Sequence, residues 1–299
     1  MSLKYVFPKD FWWGTATSGP QSEGGADVDG RGQSIWDYWF QIEPEKFHNQ
    51  VGPKDTSTFY ANYKDDIQLL KETGHNSFRT SIQWSRLIPD GIGRVNQKAV
   101  DFYNNVIDEL IENGIEPFMN LYHFDMPATM QEMGGWENRA VVEAYAEYAK
   151  VCFELFGDRV KHWITFNEPI VPVEAGYLYN WHYPNVMDGK RGIQVAFNTM
   201  LASAKAIEVY KSLNLDGQIG VVLNLTPSYP RSIENPDDVK AAHIADLFFN
   251  NSFLDPSVKG EYPKDLVSLL KEHDVLPQYE TEDLEVIKHN TVDYLGVNY

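Results

Sequence analysis

Apolar positions along the chain switch repeatedly between two spacings. Short apolar runs at 11–17, 77–82, 116–124, 160–164, 218–224 and 293–299 read as strands. Between them, apolar residues recur three and four positions apart. Phe59, Tyr63, Ile67 and Leu70 predict a helix over 58–73, with Gly74 as its stop. Val100, Tyr103, Ile107, Leu110 and Ile111 predict another, capped by Asn96 and stopped by Gly114. A third opens at Asn138 and buries Val141, Val142, Tyr145, Tyr148, Cys152, Phe153 and Phe156. Helices over 193–212 and 236–253 follow, and the stretch before 293 is less regular. Six strands separated by helices make an α/β chain with a parallel sheet and helices outside it. An open doubly wound sheet and a closed barrel both satisfy this pattern.

Composition narrows the picture little. The 299 residues are 43% hydrophobic, enough for one large core or two ordinary ones. No linker or composition shift divides them, so residues 1–299 read as one domain. The formal charge is −18, from 25 basic and 43 acidic residues, with no basic cluster among aromatics. Nucleic acid is therefore not an expected partner, whereas an anionic substrate needs only a few local cations. The single cysteine, Cys152, lies on a helical apolar face and reads as a buried thiol. Its eight histidines show no metal-ligand spacing, so neither metal nor cofactor is expected. The first eight residues contain no long apolar segment, so no signal peptide or membrane span is expected. A cytoplasmic protein is expected, with the sequons at Asn224 and Asn250 arising by chance.

Two features favour the barrel. No glycine-rich phosphate loop follows any strand. Polar residues gather where strands end: Gln21, Arg79, His123, Asn167 with Glu168, and Asn298. Barrel enzymes draw their catalytic groups from such positions. Singly, each is weak. Glu168 could be a surface carboxylate, His123 a hydrogen-bonded core histidine and Arg79 a salt-bridge partner. Trp12, Trp13, Trp36, Trp84 and Trp163 read as core. Tyr177, Tyr179 and Trp181, in the loop after Glu168, suit either surface packing or a wall of the site.

The motifs together resemble glycoside hydrolase family 1 over the whole chain. Phe11-Trp12-Trp13-Gly14-Thr15-Ala16-Thr17-Ser18, with Gln21 and Glu23-Gly24-Gly25, is similar to that family's opening signature. Ser34-Ile35-Trp36-Asp37 fits the next loop, and Phe78-Arg79 through Ser85-Arg86 the second strand and its exit. Leu121-Tyr122-His123-Phe124-Asp125-Met126-Pro127 matches the third strand, Thr165-Phe166-Asn167-Glu168-Pro169 the fourth and Leu295-Gly296-Val297-Asn298-Tyr299 the sixth. Gly260-Glu261-Tyr262-Pro263 is a smaller match.

The resemblance implies a retaining β-glycosidase on a (β/α)8 barrel, with about six strands present here. Such an enzyme uses two carboxyl groups roughly 5 Å apart, one acid/base and one nucleophile. By resemblance, Glu168 is the acid/base, Asn167 contacts the sugar 2-hydroxyl, and Arg79 is the cation beside the nucleophile. Gln21 and His123 would read hydroxyls of the terminal sugar. Tyr177 and Asn298 complete the expected substrate contacts. The implied substrate is a terminal β-glucoside, with a lean to the 6-phospho-β-glucoside. A non-phosphorylated β-glucosidase or a 6-phospho-β-galactosidase remains open.

The chain also departs from the family. The family nucleophile is a Glu in a Glu-Asn-Gly motif on the seventh strand, and this chain contains no Glu-Asn-Gly. Ser18-Gly19-Pro20 before Gln21 is unusual for the family. The expectation is an N-terminal part of a longer polypeptide. Should the chain truly end at Tyr299, it is expected to be inactive, and a non-catalytic sugar-binding barrel becomes the alternative.

Overall fold

A computed structural model describes residues 4–299. Six parallel strands form one sheet in chain order: β1 Gly14–Ala16, β2 Ser77–Ser81, β3 Glu116–Asn120, β4 His162–Asn167, β5 Gln218–Asn224 and β6 Tyr294–Asn298. Each strand pairs only with its sequence neighbours, as in the wall of a barrel. Their carboxyl ends therefore all point to one face. β1 and β6 are the outer strands.

The helices form where the apolar spacing places them. Asn96 caps Gln97–Glu112 by accepting from the Lys98 backbone N–H, and Asn138 caps Arg139–Phe156 through that of Ala140. Phe59 and Ile67 bury the face of Phe59–Glu72, with Tyr63 and Leu70 packed partly beneath it. Gly74 and Gly114 adopt the left-handed conformation that ends their helices. Helix Arg139–Phe156 reaches into the exits of the strands. The Tyr148 hydroxyl lies 2.8 Å from the Ile82 carbonyl oxygen and 3.0 Å from that of Leu121, while Tyr145 donates to the Thr165 carbonyl. Cys152 is buried in this layer, and burial pushes its thiol pKa up. No helix among the described residues is long and apolar enough to cross a membrane.

Several boundaries differ from the sequence pattern. β3 stops at Asn120, and Phe124 takes a left-handed φ of 67° in the segment that follows. β4 runs on to Asn167, past an irregularity in its pairing with β5 between Ile164 and Asn167. The run 236–253 is not one helix. A π-helical turn at Leu247–Asn251 separates Pro236–Asp246 from Ser252–Val258. There Asn250 exchanges two hydrogen bonds with the Thr226 backbone, at 2.8 and 3.0 Å. The irregular stretch holds helices Lys264–Glu272 and Thr281–His289.

Trp84 and Trp163 are core residues and Trp36 is partly buried, but Trp12 and Trp13 are about half exposed, at 48% and 49%. They precede β1, where Trp12 packs edge-on against Phe118 and His162, and Trp13 packs against Phe7 and Phe11. Ile111 is likewise exposed, being on the rim of its helix rather than its buried face.

Candidate active site

Five of the predicted residues meet at the carboxyl ends of the strands. Arg79 is the middle residue of β2 and reaches toward them, His123 follows β3, Asn167 ends β4 with Glu168 next, and Asn298 ends β6. Glu168 adopts a left-handed φ of 47°, and its backbone N–H donates to the Val222 carbonyl on β5 at 2.7 Å. A non-glycine residue there carries strain of about 1–3 kcal/mol, which neighbouring contacts must hold. The turn brings the carboxylate to Asn298, whose Nδ2 donates to Glu168 Oε1 at 2.7 Å and to Asn167 Oδ1 at 3.1 Å. Arg79 Nη1 donates to Asn167 Oδ1 at 3.1 Å and to Asn298 Oδ1 at 3.4 Å.

These bonds determine the rest. The Asn167 oxygen is taken twice, so its amide nitrogen faces His123 Nε2, 3.3 Å away, and donates to it. His123 is then neutral. Burial, aided by the nearby Arg79 charge, lowers its pKa to about 3. Burial also lowers the Arg79 pKa, opposed by Glu168 and Tyr294, but a guanidinium keeps its proton. Arg79 Nε is buried without a hydrogen-bond partner.

Gln21 stands apart from this cluster. It lies on the short helix Gly19–Ser22 with an exposed side chain, and its Oε1 accepts from Ser18 Oγ at 2.8 Å. Tyr177 is buried away from solvent. Its ring is 3% exposed, its hydroxyl donates to Glu137 Oε1 at 2.8 Å, and Glu137 also pairs with Arg191 at 2.7 Å. It lies on the π-helical turn Glu174–Leu178, with its hydroxyl engaged by Glu137. Tyr179 and Trp181 are exposed and stacked, with centroids 4.5 Å apart. Two further residues support His123. Asp125 accepts the His123 backbone N–H at 3.0 Å, and the Asn120 side chain stands 3.3 Å from His123 Nδ1. An Asp two positions after a site histidine was the available signal, since it can fold back on that backbone.

The sequence model described as glycosyl hydrolase family 1 matches residues 3–299. The chain belongs to this family. It is 66% identical over 296 residues to 6-phospho-beta-glucosidase GmuD of Bacillus subtilis (strain 168), covering 99% of this chain and 63% of that protein. It is 41% identical to a 6-phospho-beta-galactosidase of Clostridium acetobutylicum, over 98% of this chain and 62% of the relative. The solved beta-glucosidase from Thermotoga maritima in complex with castanospermine superposes with a TM-score of 0.91 at 39% identity, covering 98% and 65%. The chain thus spans less than two thirds of each of these family 1 relatives. Its six strands are part of a (β/α)8 barrel, so the residues at their carboxyl ends lie on the face where such barrels build active sites.

Proposed function

We propose that this chain supplies the acid/base half of a retaining β-glycosidase that hydrolyses terminal β-glucosides, with the 6-phosphorylated sugar preferred. The observation that carries this reading is the Glu168 carboxylate. Asn298 fixes one oxygen, and the other, Oε2, makes no hydrogen bond among the described residues. A carboxyl group oriented by one oxygen and open at the other can exchange a proton with substrate.

In the first step Glu168 gives its proton to the glycosidic oxygen as the bond to the anomeric carbon breaks and a carboxylate nucleophile takes that carbon. In the second, Glu168 removes a proton from the water that releases the sugar. Supporting side chains have matching vacancies. Asn167 uses one N–H on His123 and keeps another for the 2-hydroxyl. Gln21 has its oxygen occupied by Ser18, so its amide nitrogen donates to the sugar. The unpaired Nε of Arg79 suits the nucleophile carboxylate, which belongs to the part of the barrel outside these residues.

The 66% relative supports the phosphorylated substrate. A net charge of −18 supports a small-molecule partner over nucleic acid or an anionic membrane. A phosphorylated glycoside is charged and does not cross a bilayer unaided, which supports a cytoplasmic setting.

Glu168→Ala tests the role. It should slow alkyl glycosides strongly, by about 100-fold or more, and spare glycosylation by aryl glycosides whose leaving groups need little protonation. Equal losses on both would refute the assignment. A kcat/KM ratio favouring 4-nitrophenyl β-glucoside over its 6-phosphate would overturn the phosphate preference alone.

A further inference from the structure

Beneath Gln21 lies a buried polar network that the proposed chemistry does not use. Glu23, one residue past helix Gly19–Ser22, is 1% exposed. Its Oε2 accepts from Arg86 Nε at 2.7 Å and from Gln83 Nε2 at 2.7 Å, and its Oε1 accepts from the Tyr103 hydroxyl at 2.9 Å. Tyr103 in turn accepts from the Gln83 backbone N–H at 2.8 Å. Arg86 Nη2 donates to the Gly24 carbonyl at 2.7 Å, and its guanidinium carbon lies 4.2 Å from the centre of the Tyr60 ring.

Gln83 is the junction. Its amide nitrogen meets Glu23 while its amide oxygen accepts from Arg31 Nε at 3.2 Å and Nη2 at 3.1 Å. Set between a carboxylate and a guanidinium, that amide has one workable orientation. Arg31 also pairs with Asp37 at 2.8 Å, in the capping box of helix Ile35–Ile42. At the other end of the loop, the Gly19 N–H donates to Ser81 Oγ at 2.8 Å. A Cβ on Gly19 would stand 2.3 Å from Gln83 Cγ, so glycine lets the loop lie flat on this junction.

A buried ion pair is a poor source of stability, because losing water offsets its attraction. What this one supplies is geometry. It ties the loop after β1, the exit of β2 and the start of helix Ile35–Ile42 into one unit. We propose that Glu23 is a positioning residue for Gln21, holding helix Gly19–Ser22, which carries Gln21, against the β2 exit. The proposal rests on the reading of Gln21 as a sugar-binding residue.

A double-mutant cycle in the active full-length enzyme tests it, read as kcat and KM for 4-nitrophenyl β-glucoside 6-phosphate. Gln21→Ala should lower kcat/KM by about 10- to 100-fold, and Glu23→Gln by up to about 100-fold. The double variant should be no worse than the worse single one. Losses that multiply would overturn the proposal and leave the sugar-binding reading intact. An unaffected Gln21→Ala variant would remove that reading and the proposal with it. Because Glu23→Gln deprives Arg86 of its counter-charge and could unfold the protein, Tyr103→Phe forms a second arm. It removes one donor to Glu23 and should raise KM by about two- to tenfold with kcat unchanged. That effect should vanish in the Gln21→Ala background. A KM that does not move, or moves equally in both backgrounds, overturns the proposal.

Discussion

His123 and Asp125 are buried two residues apart with opposite displacements. His123 titrates near 3 instead of 6.5, so the unfolded chain binds the extra proton and acid erodes stability from about pH 6.5 down to 3. Asp125 is raised from 3.8 to about 7, first by burial and against the hydrogen bond from the His123 N–H; Glu23 adds to the rise and Arg31 opposes it. Its folded form holds the extra proton. Its contribution is therefore fully present below about pH 4 and is lost as pH rises through 7. Asp125→Asn keeps an oxygen for the His123 N–H and removes the charge. Chemical denaturation should show the variant gaining on the wild type as pH rises from 4 to 7, by at most about 4 kcal/mol, with a level difference above that. A difference that does not change with pH would show that Asp125 does not titrate in this range. The sequence displayed this pair only in part. His123 was legible as a polar residue where a strand ends, whereas the folding back of Asp125 depends on the left-handed Phe124 between them. The partners of Tyr177 are invisible for a related reason, since Glu137 and the Arg191 that pairs with it lie 40 and 14 residues away.

At the scale of elements, the match between apolar run and strand does not follow whether a strand has one neighbour or two: β6, with one, differs from 293–299 by a residue at each end, while β3 and β4, with two, differ by more. β5 matches its apolar run at 218–224 residue for residue, while β1 contracts to three residues at the sheet margin. Helix Pro236–Asp246 was read as continuing to 253 because apolar spacing does not register the pull of Asn250 toward Thr226. That burial also leaves no room for a glycan on Asn250. The helix whose role was least visible is Arg139–Phe156. Its apolar face was plain, but a tyrosine on that face gives no sign of where its hydroxyl lands. Tyr148 places one hydroxyl between the Ile82 and Leu121 carbonyls, at the exits of β2 and β3. Tyr148→Phe should leave both carbonyls short of a donor in a buried site and destabilise the fold by about 1–3 kcal/mol in urea titration. A loss below about 0.5 kcal/mol would mean that those carbonyls find other partners.

For the molecule as a whole, alternating periodicity specified parallel strands with helices outside, but not whether the sheet closes. Closure depends on pairing at the margins, and in residues 14–298 β1 and β6 each have a single neighbour. The side chains there are unlike those of the covered strands. Leu295 and Val297 of β6 are exposed, as are Phe11, Trp12 and Trp13 in the segment leading into β1. Open apolar edges recruit other chains, and the net charge of −18 opposes such association only at low ionic strength. A polypeptide restricted to residues 1–299 should therefore grow in mean size with concentration, the more so in high salt, as read by light scattering. It should not turn over an aryl β-glucoside, because Arg79 lacks the carboxylate that its free Nε would meet. A polypeptide carrying two further strands to pair with β1 and β6 should stay at constant size over the same range. A 299-residue chain that remains a monomer in high salt would show that the acidic surface and the twist of the sheet protect these edges unaided.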